Sequence, residues 1–131
     1  MKIEHTAFQV VDPAALSRWY VEHLGLTIKR AQKEPPFGHF LADDGNSAML
    51  EFYRNPTLAV PDYHAVDPLA LHLAFVVDDV AATFERLRQA GASAETEMRV
   101  LDNGDCIAML RDPGGLPLQL VSRTVPMVER R

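Results

Sequence analysis

The chain has 131 residues, the size of one compact domain, and 47% of them are hydrophobic against 24% charged, the balance of a globular protein with a core of its own. Its formal net charge is −5 and no basic stripe runs through it, which excludes the electrostatic footprint of a nucleic-acid binder. No apolar run nears the ~20 residues of a membrane span, the start at Met1 carries no signal-peptide apolar stretch, and the lone Cys106 can form no internal disulfide, so a cytoplasmic protein without a membrane partner is expected.

The first strand is predicted over Ile3 to Val10. Asp12 is a suitable helix cap, and Pro13 suits the first helical position. Leu16, Trp19, Tyr20 and Leu24 then recur at helical spacing, and Gly25 closes the helix. Strands are predicted at Leu26 to Arg30, His39 to Ala42 and Ala48 to Tyr53. Residues 54 to 70 hold Pro56, Pro61 and Pro68 with little periodicity and read as a linker. A strand at Leu71 to Val77 follows. Asp78 or Asp79 caps a helix with the stripe Val80, Phe84 and Leu87, ended by Gly91. Strands at Ala94 to Arg99, Cys106 to Arg111 and Pro117 to Val121 complete the chain, and the polar tail from Thr124 is expected to fray.

The order of elements repeats, and so do residues. His5-Thr6-Ala7-Phe8-Gln9-Val10-Val11-Asp12 matches His72-Leu73-Ala74-Phe75-Val76-Val77-Asp78-Asp79 at five of eight positions, with an offset of 67. Asp44 precedes Glu51 by seven residues, as Asp112 precedes Gln119, with an offset of 68. The expected fold is therefore α+β, two βαβββ modules in one domain over residues 1–131: module one about 1–55, a linker about 56–70, module two about 71–123. Neither half alone would bury much core.

Strand side chains alternate faces. Phe8 and Val10, Leu50 and Phe52, Leu73 and Phe75, and Leu118 and Leu120 form apolar faces that suit the helices. The opposite faces carry one coordinating residue per strand: His5, Glu51, His72 and Gln119. Each alone is ordinary, since a strand histidine is more often a hydrogen-bonded group than a ligand and a strand carboxylate is often merely exposed. Together, at repeat-equivalent positions, two imidazoles, a carboxylate and an amide oxygen suit a divalent first-row metal such as Zn, Ni, Co, Fe or Mn. Tyr53 shares the Glu51 face, where it could touch substrate or simply pack. Phe37, His39, His64 and Arg111 are further pocket candidates.

These stretches resemble the vicinal oxygen chelate superfamily, which holds glyoxalase I, methylmalonyl-CoA epimerase, extradiol dioxygenases, fosfomycin-resistance enzymes and bleomycin-resistance proteins. The similarity rests on His5 to Val10 with the helix through His23-Leu24-Gly25-Leu26, on Met49-Leu50-Glu51-Phe52, on His72 to Asp79, and on Arg111-Asp112-Pro113-Gly114-Gly115 through Val121, spanning about residues 3 to 122. The resemblance implies curved sheets forming a cup around a metal held by the first and last strand of each module, and a homodimer. By position the ligands are His5, Glu51, His72 and Gln119.

The last position is usually Glu in that superfamily, and here it is Gln. An extradiol-type dioxygenase, which uses that Glu, is thereby disfavoured. The resemblance implies a glyoxalase I-like lyase or isomerase acting on a small oxygenated substrate through an enediolate; with Gln119 where glyoxalase I has its base, the module symmetry offers Glu51, at the mirror position, as ligand and base together. The rivals are a metal-free, drug-sequestering resistance-type protein and a non-catalytic dimer module.

Overall fold

A computed structural model describes residues 1–129. The chain divides into two compact units, residues 1–61 and 62–129. Each is a four-stranded mixed sheet with one helix, so the protein is α+β. No helix among the described residues is long and apolar enough to cross a membrane.

Unit one runs β1 (His5–Gln9), α1 (Pro13–Leu24), β2 (Thr27–Ala31), β3 (His39–Ala42) and β4 (Met49–Tyr53), with sheet order β1-β4-β3-β2. Asp12 starts α1 by accepting the Ala15 N–H at 3.0 Å, with Pro13 in the first turn. Gly25 ends the helix at φ 72, a left-handed conformation that side chains disfavour. The helix brings Leu16, Trp19 and Tyr20 to the sheet, where Leu41 and Phe52 are wholly buried. Tyr20 and Phe52 meet with ring centroids 4.9 Å apart, and Phe8 flanks Phe52 at 6.3 Å.

Unit two opens with a 3₁₀ turn at Tyr63–Ala65, then β5 (Leu73–Val76), α2 (Val80–Gln89), β6 (Ser93–Val100), β7 (Cys106–Arg111) and β8 (Pro117–Ser122), with order β5-β8-β7-β6. Asp79 caps α2 through the Ala82 N–H at 2.9 Å. The helix packs on β6, β7 and β8, burying Val80, Phe84 and Leu87 beside Leu110, Leu118 and Leu120. The β7–β8 turn is built by Asp112, whose Oδ1 accepts from Gly114 at 2.8 Å and Leu116 at 3.0 Å.

The predicted elements are all present, with bounds shifted by one or two residues. Shifts of two residues occur at β1, expected from Ile3 but starting at His5, and at β5, expected from Leu71 but starting at Leu73. The carbonyl of Asp67 holds the N–H groups of Ala70 and Leu71 at 2.9 and 3.3 Å, so a turn occupies the chain until His72. The linker also contains the unanticipated 3₁₀ turn, which is too short to leave a periodic signal.

Two buried polar side chains fasten the linker, one in each unit. In unit one, Gln9 Nε2 donates to the carbonyls of Asn55, Leu58 and Ala59 at 3.0, 2.7 and 3.4 Å, while its Oε1 accepts the Asn55 N–H at 2.8 Å. In unit two, the Arg111 guanidinium donates to the carbonyls of Tyr63, Gly115 and Val66 at 2.8, 3.2 and 2.9 Å and pairs with the Glu95 carboxylate. Gly115, at φ 93, lies flat under the His64 ring, where an added Cβ would come within 2.6 Å of it.

Candidate functional site

In unit one, parallel pairing sets His5 opposite Met49 and Ala7 opposite Glu51. His5 and Glu51 therefore share the sheet face turned away from α1. Antiparallel pairing extends that face across the sheet, since Phe40 lies opposite Glu51 and Arg30 opposite Phe40. The His5 ring meets Phe40 edge-on at 5.4 Å, and the Arg30 guanidinium lies 5.9 Å from the same ring. The loop between β2 and β3 comes down beside Glu51. A Cβ on Gly38 would sit 3.5 Å from Glu51 Oε2 and 2.9 Å from Gln32 Oε1, which already accepts the Gly38 N–H at 3.1 Å.

The His5 Nδ1 is engaged by the Glu4 carboxylate. That hydrogen bond is the largest influence and raises the imidazole pKa above its ordinary value; burial opposes it, and the negative charges of Glu4 and then Glu51 add to the rise. With Nδ1–H committed to Glu4, the neutral ring presents Nε2 as its lone-pair nitrogen.

Unit two repeats the construction. Ala74 lies opposite Gln119, and His72 precedes Ala74 by two residues, as His5 precedes Ala7. Met109 is opposite Gln119 on the other side, with Thr96 opposite Met109. His72 is half-buried just before β5, with Nδ1 2.7 Å from the Pro68 carbonyl. That acceptor fixes Nδ1 as the protonated nitrogen, and Nε2 is again left for a ligand. A cavity of about 360 Å³ opens on this face, lined among others by Pro68, Leu69, Thr96, Arg99, Met109 and Gln119.

The four sequence-predicted positions thus occur as two pairs, one per unit, in the same register. Among the described residues, no three His, Cys, Asp or Glu side chains converge on one point. The donor chemistry fits a divalent cation: two imidazoles with Nδ1 already bonded, one carboxylate and one amide oxygen.

The secondary candidates separate. Tyr53 is half-buried on the Glu51 face, next to Gln9 in register. Phe37, at φ 57, gives its carbonyl to His39 Nδ1 at 2.6 Å. His39 pairs with Phe52 and so faces α1 rather than Glu51. His64 is exposed and packs on Gly115, whereas Arg111 is consumed by its clamp and is not free to bind a substrate. Sequence reasoning missed Phe40, Arg30, Glu4 and Arg99. Phe40 was recoverable, since pairing β3 with β4 by their alternation sets it beside Glu51.

The family profile described as Glyoxalase/Bleomycin resistance protein/Dioxygenase superfamily matches residues 2–120. A lactoylglutathione lyase of Haemophilus influenzae is 29% identical over 126 residues, which cover 92% of each chain. The glyoxalase family protein of Enterococcus faecalis superposes with a TM-score of 0.68 at 30% identity, covering 92% of this chain and 96% of that one. TnmS3, an antibiotic binding protein from Streptomyces sp. CB03234, shares the fold with a TM-score of 0.69 at 21% identity over 95% and 97% of the two chains.

Proposed function

The chain belongs to the glyoxalase/bleomycin resistance protein/dioxygenase superfamily, and on that premise we propose that it is a divalent-metal-dependent lyase or isomerase of the glyoxalase I kind. The ligand positions proposed are His5 and Glu51 in unit one and His72 and Gln119 in unit two. The observation that carries the reading is the repeated pair: in each unit a histidine sits two residues before the position opposite Glu51 or Gln119, with its Nδ1 already bonded. A surface histidine has no need of that arrangement twice; a ligand does, because the bond at Nδ1 orients the ring and makes Nε2 the donor.

A bound divalent ion would supply Lewis acidity to two adjacent substrate oxygens. Glu51 is the one carboxylate of the four positions, so it is assigned the proton transfer between neighbouring substrate carbons. Phe40 and the β2–β3 loop flank Glu51. Gln119 accepts or donates hydrogen bonds but holds no proton to move, which makes the two pairs unequal in chemistry. Similarity to lactoylglutathione lyases supports this class and suggests a thiol adduct of a 2-oxoaldehyde as a first substrate to test. A single functional domain, acting in the cytoplasm as a homodimer, completes the proposal.

Metal content of the purified protein, before and after incubation with Zn, Ni, Co and Mn salts, tests it. Wild type should fill, and Glu51→Ala and His72→Ala should each lose metal. Methylglyoxal–thiol isomerisation should require Glu51. Failure of wild type to bind any of the four ions rejects the enzyme reading in favour of metal-free ligand sequestration. Metal loading with full activity in Glu51→Ala rejects Glu51 as base.

A further inference from the structure

The cavity of unit two has a charge pattern that the proposed metal chemistry does not explain. Three charged side chains line it: Asp67, Glu95 and Arg99. Two are already engaged. Asp67 Oδ1 accepts the Leu69 N–H at 2.8 Å, and Glu95 is paired with the buried Arg111 guanidinium. The Arg99 side chain makes no hydrogen bond or ion pair among the described residues, although two carboxylates share its cavity. It is brought there by the backbone: β6 slips register between Ala94 and Thr96 and again between Thr96 and Arg99, and Arg99 then lies opposite Ile107. The neighbouring wall is apolar, with Leu69, Ile107 and Met109, and Gln119 is on the same lining.

We propose that Arg99 is the anchor for a monoanionic carboxylate on the substrate, whose apolar body lies against Leu69, Ile107 and Met109. This deepens the proposed function and rests on it for the role of Gln119, but not for the anion site. The planar guanidinium fork matches a carboxylate with two parallel hydrogen bonds. A volume of about 360 Å³ suits a small molecule. A phosphate dianion is disfavoured because Asp67 and Glu95 would repel its second charge while one arginine would have to balance both.

The test uses the metal-free full chain and two probes of one shape, 2-hydroxyisocaproate and its neutral amide, with inorganic phosphate as a third, followed by amide NMR titration. The hydroxy acid should saturate, shifting Thr96, Arg99, Met109 and Gln119, while the amide and phosphate should bind at least tenfold more weakly. Arg99→Gln should weaken the hydroxy acid roughly 10- to 100-fold, the loss of a bidentate charged contact. Arg18→Gln, at an exposed position of α1, should leave it unchanged. Equal binding of acid and amide, tighter binding of phosphate, wild-type affinity in Arg99→Gln, or no saturation by the acid would each overturn the proposal. Because metal is absent from this titration and metal content is measured separately, the anion site and the metal site can fail independently.

Discussion

Replacing Arg111 with methionine keeps the apolar stem and removes the guanidinium. Four acceptors lose their donor: the carbonyls of Tyr63, Val66 and Gly115 and the carboxylate of Glu95. Glu95 is 34% exposed, so its ion pair is screened and contributes little. The three carbonyls matter more. Hydrogen bonds to a charged donor are worth about 1.5–3 kcal/mol each, but the Tyr63 and Val66 carbonyls belong to a surface turn that can rotate toward water, so the sum overshoots. A loss of about 3 kcal/mol is expected, at the lower end for breaking a buried charged network. With an unfolding entropy of roughly 2.1 cal/mol/K per residue, 131 residues give about 0.28 kcal/mol/K, and the midpoint falls by about 10 °C. Thermal melts followed by circular dichroism measure this. Hydrogen exchange adds a local signature, faster exchange at Ala65 and Val66, whose N–H groups close the 3₁₀ turn. Arg88→Met, which breaks an exposed pair with Glu85, should melt like wild type. A midpoint within 2–3 °C of wild type for Arg111→Met, a loss under about 1 kcal/mol, would refute the clamp.

The Asp105 carboxyl is held at about 2, below the ordinary aspartate value of 3.8, chiefly by the Arg123 side chain and then by the Thr124 N–H. Its contribution is fully present above the unfolded pKa and lost as pH falls through the folded one, so acid titrations should show stability declining between about 3.8 and about 2. Asp105→Asn should flatten that part of the curve. Gly115→Ala places a Cβ within 2.6 Å of the His64 ring and forces alanine to φ 93; a cost of about 1–3 kcal/mol is expected in urea denaturation. Adding His64→Ala should recover the steric share and leave the backbone share. Gln119→Glu adds a second carboxylate to the proposed ligand set and should tighten divalent metal at least tenfold in a chelator competition; unchanged affinity would remove residue 119 from that set.

Much of this was readable in the chain because repetition and alternation agreed. The five residues shared from His5 and His72 onward located the modules, and Asp12 fixed where the first helix begins, while the choice between Asp78 and Asp79 needed the structure, which caps the second helix with Asp79. Alternation correctly separated Glu51 from Phe52, since β4 is regular. It failed where the backbone is not. Two register slips in β6 break the period of two, so the placement of Arg99 required the pairing itself. Arg111 and Gln9 lie on strands as pocket-like polar residues, yet both are spent on the linker; only the path of residues 55–66 reveals their acceptors. His72 was assigned to a strand, but the Asp67 turn delays β5 and leaves the histidine anchored on Pro68.

The pairing of β4 with β1 and β3 has one more consequence. A strand presents its residues alternately, so the register that seats Phe52 against Tyr20 also turns Glu51 outward beside His5. A slip by one residue would bury the carboxylate against α1 and expose the phenylalanine. Core packing in unit one therefore proofreads the proposed site: a chain that has folded with its aromatic cluster closed has already turned Glu51 to the face it shares with His5. Mutations that loosen Phe52 should blur the chemistry before they unfold the protein.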